Sequence, residues 1–202
     1  RCSYCIVPYT RGPERCRRVA EVVSEAEQVV ADGMSEVVRL GQGVDATGRL
    51  APEAIERTRT VLAEYAAAAR DLDATAVRMA ATSATRDASN RQDFEDMAVS
   101  TLGQAPDVIT GREEAELSFR GAVTTLDALA DGPRLVVDIG GGSTELVLGT
   151  ESPTHRISLD IGSVRLTERH LGEDPPTAAQ IAAATADIEE LLDRAAAEIP
   201  LE

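Results

Sequence analysis

The stretch LVVDIGGGSTELVLG constrains the fold of this chain more than any other part of its sequence. Residues 135–137 predict a buried strand, and residues 146–148 predict its hairpin partner. The turn between them contains three consecutive glycines, Gly140, Gly141 and Gly142. Glycine adopts backbone conformations that other residues avoid, and it lets a ligand approach the main chain closely. The sequence therefore predicts a β-hairpin whose turn is open to a ligand.

Polar side chains flank the three glycines. Asp138 lies at the end of the first strand, where a carboxylate can hold a metal ion or a water, and Glu145 is a second acid within reach. Successive backbone N–H groups form a concavity that suits phosphate oxygens, and Ser143 and Thr144 add hydroxyl donors. This combination favours a phosphate or metal site. A hairpin with a flexible glycine turn is the alternative interpretation.

Two earlier stretches also carry candidate site residues. ITGREEAELSFRGAV places Glu113, Glu114 and Glu116 at the start of a predicted helix. A glutamate there can act as a general base that orients water, but carboxylates at a helix N-terminus are also common because the helix dipole favours them. ATSATRDASN places Arg86 just after a predicted strand, where it can bind phosphate oxygens or simply lie at the surface.

The remaining pattern alternates strands with helices, which predicts an α/β fold. Short strands are expected at residues 37–40, in AVRMAATSA, in PDVIT and near HRISLD, with helices starting at Pro52 and near Arg91. The closing helix has capping-box spacing at Thr177 and Gln180. Its predicted buried stripe consists of Ile181, Ala184, Ile188, Leu191 and Ala195.

Charge and composition exclude several classes of function. The net charge of −15 argues against nucleic-acid and anionic-membrane partners, and a polyanionic substrate would need bridging cations. No apolar run approaches the roughly 20 residues of a spanning helix, and no signal peptide is visible. The three cysteines all fall within the first sixteen residues, so they do not form a disulfide framework. We therefore expect a cytoplasmic protein.

The motifs ATSATRDA, VITGREEAELSFRGAV and DIGGGSTELVLG, in this order, resemble the exopolyphosphatase and guanosine pentaphosphate phosphatase family. That family belongs to the actin-like ATPase superfamily, which has ribonuclease H-like domains. The resemblance runs over about residues 37–202 and implies an incomplete two-lobe α/β fold. Residues 37–130 would form lobe I, without its first strands and first phosphate loop, and residues 131–202 would start lobe II, with the junction near residues 129–133.

The resemblance also implies a reaction and assigns roles. The chain would be a hydrolase that uses magnesium to release phosphate from polyphosphate or guanosine pentaphosphate, and it would form a homodimer. Because no first phosphate loop is found, turnover is expected to be far below that of an intact member, and an inactive phosphate-binding remnant is an alternative. Glu114 would be the general base, Asp138 would bind magnesium or position water, and Glu145 would be an accessory acid. Phosphate would be bound by Arg86, Gly140, Gly141, Gly142, Ser143 and Thr144.

The N-terminal stretch CSYCIVPYTRGPERCRR has a resemblance of its own. It is similar to the cluster-binding segment of radical-SAM tRNA methylthiotransferases, in which three cysteines hold an iron–sulfur cluster. Cys2 and Cys5 match the second and third of these cysteines, which implies a partial iron–sulfur motif. Residues 1–36 would then be an extraneous segment of a chimera, and a methylthiotransferase fragment is the alternative reading. We expect residues 1–16 to pack poorly on the rest.

Overall fold

The computed structural model describes residues 37–74, 76–125 and 132–200. The predictions for residues 1–36, including Cys2 and Cys5, lie outside these ranges, as does most of the predicted lobe junction at residues 129–133. Within these ranges no helix is long and apolar enough to cross a membrane. In chain order the helices are α1 (Val44–Thr47), α2 (Pro52–Asp71), α3 (Ser83–Asp87), α4 (Arg91–Leu102), α5 (Gly111–Thr125), α6 (Ser163–His170) and α7 (Ala178–Glu198). The strands are β1 (Ala80–Ala81), β2 (Asp107–Val108), β3 (Arg134–Ile139), β4 (Thr144–Gly149) and β5 (Pro153–Leu159).

The strands form two separate sheets. β1 and β2 pair in parallel, with Ala80 opposite Asp107. β3, β4 and β5 form an antiparallel sheet in that order, with Asp138 opposite Glu145 and Glu145 opposite Ser158. The predicted hairpin around the three glycines is therefore present, and it continues into a third strand. The burial predicted for residues 135–137 is wrong, because Leu135 is 42% exposed and Val137 is 48% exposed.

The strand predicted at residues 37–40 is wrong. In the structure these residues form irregular backbone that leads into a turn. The strand predicted in AVRMAATSA is also reduced to Ala80–Ala81. A strand persists only where a neighbour accepts and donates its backbone hydrogen bonds. Within the described residues, β2 pairs with Ala80 and Ala81, and no strand pairs with residues 37–40.

The chain has two phenylalanines, and each one lies at the centre of a different core cluster. Phe94 packs in one cluster with residues of α2, α4 and β1, including Leu62, Ala98 and Ala81. Phe119 packs with Ala115 of α5 and Val147 of β4. Because side chains alternate across a strand, the residues next to Val147 point to the opposite face of the sheet. α7 covers part of that opposite face through Ile188, Leu191 and Ala195, which pack around Leu146, Ile157 and Leu159.

The closing helix begins as predicted. Thr177 accepts a hydrogen bond from the backbone of Gln180, and the Gln180 side chain accepts one from the backbone of Thr177, which completes the capping box. Ile181 is a correction to the predicted stripe, because 51% of it is exposed. A stripe is buried only where another surface faces it, and here the packed cluster contains Ile188, Leu191 and Ala195.

The structure contains two short helices that the sequence patterns do not predict. α3 begins directly after β1 and contains Arg86, and α6 begins directly after Gly162. Neither helix has a side-chain cap at its N-terminus, so the usual start signal is missing. Both helices are nevertheless important, because they border the glycine turn.

Candidate active site

Arg86 and Glu114 form an ion pair that joins α3 to the start of α5. Nη1 of Arg86 donates to Oε2 of Glu114 at 2.8 Å and to the carbonyl oxygen of Ile109 at 2.9 Å. The two side chains are 22% and 18% exposed, so solvent screens this pair less than a surface pair. A charge-assisted hydrogen bond in such a place fixes the orientation of both groups.

The three glutamates at the start of α5 have different surroundings. Glu113 accepts hydrogen bonds from the backbone and hydroxyl of Thr110, and Thr110 in turn accepts one from the backbone of Glu113. Glu113 is therefore a helix cap, as the alternative interpretation expected. Glu116 forms ion pairs with Arg120 and Arg156. Of the three, Glu114 is the one that forms the ion pair with Arg86.

Glu145 is almost completely buried, with 1% of the residue exposed. Its Oε1 accepts a hydrogen bond from the hydroxyl of Ser158 at 2.7 Å. Burial is the main cause that raises the pKa of Glu145 to about 7, and the negative charge of Glu114 raises it further. Hydrogen bonds from Ser158 and Ser143 act in the opposite direction. A carboxyl group in this state can hold or release a proton near neutral pH.

Asp138 brings a third carboxylate into this group. It lies opposite Glu145 across the β3–β4 pair, and its Oδ2 accepts a hydrogen bond from the hydroxyl of Ser118 at 2.5 Å. Burial raises the pKa of Glu114, the hydrogen bond from Arg86 lowers it, and the charge of Asp138 raises it again. The three acids therefore repel one another, and Arg86 forms a direct ion pair with one of them, Glu114.

The glycine turn presents backbone donors beside these acids. The N–H of Gly140 donates to the carbonyl of Ser143 at 2.8 Å, which closes the turn. The N–H groups of Gly141, Gly142 and Ser143 donate to no acceptor within the described ranges. Thr144 differs from the sequence-based expectation, because its hydroxyl donates to the carbonyl of Ile161 at 2.7 Å.

Three glycines at the site, Gly142, Gly162 and Gly111, are needed for space rather than for unusual backbone angles. The backbone of Gly142 lies outside the left-handed region, but a Cβ there would lie 2.5 Å from Oγ of Ser83. A Cβ on Gly162 would lie 2.5 Å from the backbone of Gly141, and one on Gly111 would lie 2.7 Å from Cβ of Ser158. The glycine turn therefore packs closely against α3 on one side and against the start of α6 on the other.

Three residues at this site were not selected from the sequence: Ser118, Ser158 and Arg165. Ser118 follows Glu114 by four positions, so helical periodicity was an available signal. Ser158 was identifiable only from the strand register, which places it opposite Glu145. Arg165 donates to the carbonyl of Gly142 at 2.7 Å, and no local sequence pattern indicates this contact.

The described residues contain no group of three or more His, Cys, Asp or Glu side chains arranged to hold a metal ion. Magnesium nevertheless does not require such a cage, since it often binds through one or two carboxylates together with substrate phosphates. Asp138 is exposed, and Ser118 donates to one of its two carboxylate oxygens. The donor set therefore fits a magnesium ion that arrives with a phosphate substrate.

Comparisons with known proteins identify the family of this chain. The model of the Ppx/GppA phosphatase family matches residues 19–202. The chain is 54% identical over 173 residues to Exopolyphosphatase 2 of Mycobacterium tuberculosis, covering 83% of this chain and 54% of that protein. It is 32% identical over 179 residues to a guanosine-5'-triphosphate,3'-diphosphate pyrophosphatase of Pseudoalteromonas atlantica, covering 88% of this chain and 35% of that protein.

Solved structures of similar proteins support the fold. A crystal structure of an exopolyphosphatase-like protein has a TM-score of 0.78 and 47% identity, covering 81% of this chain and 52% of that chain. A crystal structure of an exopolyphosphatase from Cytophaga hutchinsonii has a TM-score of 0.73 and 30% identity, covering 80% of this chain and 53% of that chain. The expected α/β, actin-like fold is confirmed. The chain spans about half the length of these relatives.

The family match also changes one boundary. It begins at residue 19 rather than at residue 37, so it includes part of the segment assigned to a methylthiotransferase-like N-terminus. The comparisons give no support to the chimera interpretation. From residue 19 to its last residue, this chain belongs to the Ppx/GppA phosphatase family.

Proposed function

We propose that this chain carries the water-activating half of a phosphoanhydride hydrolase that releases phosphate from polyphosphate or guanosine pentaphosphate. The observation that carries the proposal is the meeting of Glu114, Asp138 and Glu145 beside a turn in which three backbone N–H groups have no acceptor among the described residues. Consecutive N–H groups bind phosphate oxygens, and a carboxylate beside them can orient a water molecule. The names of the two relatives support the same class of substrate.

In this proposal the phosphate chain lies between the glycine turn and Arg86. Nη1 of Arg86 is used by Glu114 and Ile109, and the described contacts of Arg86 leave Nη2 for a phosphate oxygen. The N–H groups of residues 141–143 hold the same phosphate from the other side. Charge stabilisation of this kind supplies most of the catalysis in phosphoryl transfer.

Glu114 is the proposed general base, and Arg86 keeps its carboxylate oriented. A base must be ionised before it can accept a proton from water. Because burial raises the pKa of Glu114, the base becomes active at a higher pH than an ordinary glutamate. Glu145 accepts or returns a proton nearby, which its pKa of about 7 permits. The leaving phosphate takes up the proton that completes the reaction.

Magnesium is the proposed cofactor, with Asp138 as its protein ligand. When bound, the ion would neutralise charge on the phosphate oxygens. This compensation matters because the protein has a net charge of −15 and the substrate is also anionic. We further propose that residues 37–130 and 131–202 belong to separate lobes, that the protein is cytoplasmic and homodimeric, and that it binds neither nucleic acid nor membranes.

The test is phosphate release by the 202-residue chain from long-chain polyphosphate and from guanosine pentaphosphate, with magnesium or with a chelator. A phosphomonoester such as p-nitrophenyl phosphate is the control substrate. We expect magnesium-dependent release from at least one anhydride and little release from the monoester. Equal release from the monoester would contradict an anhydride hydrolase. If the chain neither releases phosphate from the two anhydrides nor binds them, the whole proposal is contradicted.

A further inference from the structure

Arg165 of α6 joins parts of the structure that are far apart in sequence. Its Nε donates to the carbonyl of Gly142 at 2.7 Å, its Nη1 donates to Asp45 at 2.7 Å, and its Nη2 donates to Asp87 at 2.5 Å. All three side-chain nitrogens are therefore bound to protein acceptors. Asp45 belongs to α1 and Asp87 ends α3, whereas Gly142 lies in the glycine turn.

Arg165 and Asp45 are largely shielded from solvent, whereas the side chain of Asp87 is 37% exposed. The side chains of Arg165 and Asp45 are 13% and 16% exposed. Burial alone would lower the pKa of Arg165, but the hydrogen bonds to Asp87 and Asp45 raise it overall. Arg165 therefore stays charged, and its planar guanidinium is the group that can serve three acceptors in fixed directions.

The partners of Arg165 lie on both sides of the proposed phosphate site. Asp87 is the neighbour of Arg86, and Gly142 is part of the turn whose N–H groups at residues 141–143 have no acceptor in the described part of the chain. The two sides already touch, because a Cβ on Gly142 would lie 2.5 Å from Oγ of Ser83 on α3. α6 also contacts the start of α1, where the backbone N–H of Gly43 donates to the two carboxylate oxygens of Glu168 at 2.9 Å and 3.0 Å.

On the basis of the function proposed above, we propose that Arg165 is a positioning residue for phosphate binding. It sets the separation between the glycine turn and Arg86, so that one phosphate chain contacts both. Arg165 itself does not bind the substrate, because its nitrogens are engaged by Gly142, Asp45 and Asp87. Its effect on the reaction passes through the placement of the glycine turn and of Arg86.

Arg169 provides a matched control on the same helix. It donates to Asp45 from Nη2 at 2.7 Å and from Nε at 3.0 Å, and it pairs with Asp187 at 3.1 Å. It therefore shares a partner with Arg165 and bridges separate elements too. No described hydrogen bond joins Arg169 to the glycine turn or to α3. A general loss of ion pairs would affect both arginines, whereas a loss of positioning would affect Arg165 alone.

The experiment compares Arg165→Lys and Arg169→Lys in the full chain. A lysine keeps the charge but cannot bridge three acceptors in one plane. Binding of inorganic polyphosphate with magnesium is measured by calorimetry, and KM and kcat are measured for phosphate release. We expect Arg165→Lys to weaken polyphosphate binding and raise KM about tenfold or more, since charge-assisted contacts of this kind are lost. We expect Arg169→Lys to change both by less than about twofold, as for peripheral ion pairs.

Hydrogen exchange without ligand separates a failure of this inference from a failure of the proposed function. We expect Arg165→Lys to speed exchange at the hydrogen-bonded amides of two segments, Gly140 in the glycine turn and Thr85 and Arg86 in α3, and Arg169→Lys to leave both segments unchanged. If the unsubstituted chain binds no polyphosphate, the proposed function fails and a positioning role in phosphate binding fails with it. If the unsubstituted chain does bind polyphosphate, two results overturn the positioning role and leave the proposed function standing. These are an unchanged polyphosphate affinity in Arg165→Lys and an equal loss of affinity in both variants. Unchanged exchange at both segments in Arg165→Lys also overturns it.

Discussion

Replacing Glu145 with glutamine should stabilise this protein at alkaline pH. The carboxyl group is buried on β4, and burial together with the charge of Glu114 raises its pKa to about 7. The ionised form is therefore disfavoured in the folded state. Glutamine has nearly the same shape, is neutral at every pH, and can still accept the hydrogen bond that Ser158 donates.

The magnitude follows from the difference between two pKa values. An ordinary glutamate titrates at 4.5 and Glu145 at about 7 in the folded protein. Below pH 4.5 the carboxyl is neutral in both states and costs nothing. As pH rises towards 7 the unfolded chain ionises first, so the free energy of unfolding falls. At pH 8 the accumulated loss is about 3 kcal/mol, and Glu145→Gln should recover most of it.

The assay is urea unfolding at pH 4 and pH 8 of the unsubstituted chain and of Glu145→Gln. We expect the gain from the substitution to be about 3 kcal/mol larger at pH 8 than at pH 4. Glu64→Gln, an exposed position on α2, is the control and should show no such difference. The same gain at both pH values, or a loss of stability at pH 8, would refute the argument that burial raises the pKa of Glu145.

Three further predictions concern the site. Phosphate release should increase with pH above the range of an ordinary glutamate, because burial raises the pKa of Glu114; a pH–rate profile whose acid limb lies at or below 4.5 would contradict this. Gly142→Ala should weaken polyphosphate binding, because its Cβ would lie 2.5 Å from Oγ of Ser83, and combining it with Ser83→Ala should restore part of the affinity measured by calorimetry. Asp138→Asn should raise the magnesium concentration needed for half-maximal phosphate release, and an unchanged magnesium titration would remove Asp138 as the ligand.

Local sequence signals predicted part of this fold well. The β3–β4 hairpin follows from two apolar runs around three glycines, and the start of α7 follows from the spacing of Thr177 and Gln180. The prediction that Ile181 belongs to the buried stripe of α7 is wrong, because burial depends on the surface that faces the helix. For the same reason the apolar run at residues 37–40 predicts a strand that the structure lacks.

The candidate site shows the same division between local and tertiary information. The motifs selected Arg86, Glu114, Asp138 and the glycine turn, and the structure brings these residues together. The residue pattern alone offered Glu113, Glu114 and Glu116 as candidates for a general base, and the family resemblance selected Glu114 among them. Tertiary contacts distinguish them, because Glu113 caps α5 and Glu114 pairs with Arg86. The contacts of Arg165 depend on α1, α3 and α6 packing together, which no local pattern encodes.

The most direct measurement of the central claim is the ratio of phosphate-release rates for Glu113→Gln and Glu114→Gln with magnesium and long-chain polyphosphate. The two substitutions change the net charge equally, and a glutamine at residue 113 can still accept the capping hydrogen bonds from Thr110. A general base contributes about 100- to 10,000-fold to the rate. We expect Glu113→Gln to retain the activity of the unsubstituted chain and Glu114→Gln to lose at least about 100-fold. Equal rates for the two variants would show that Glu114 does not activate the water.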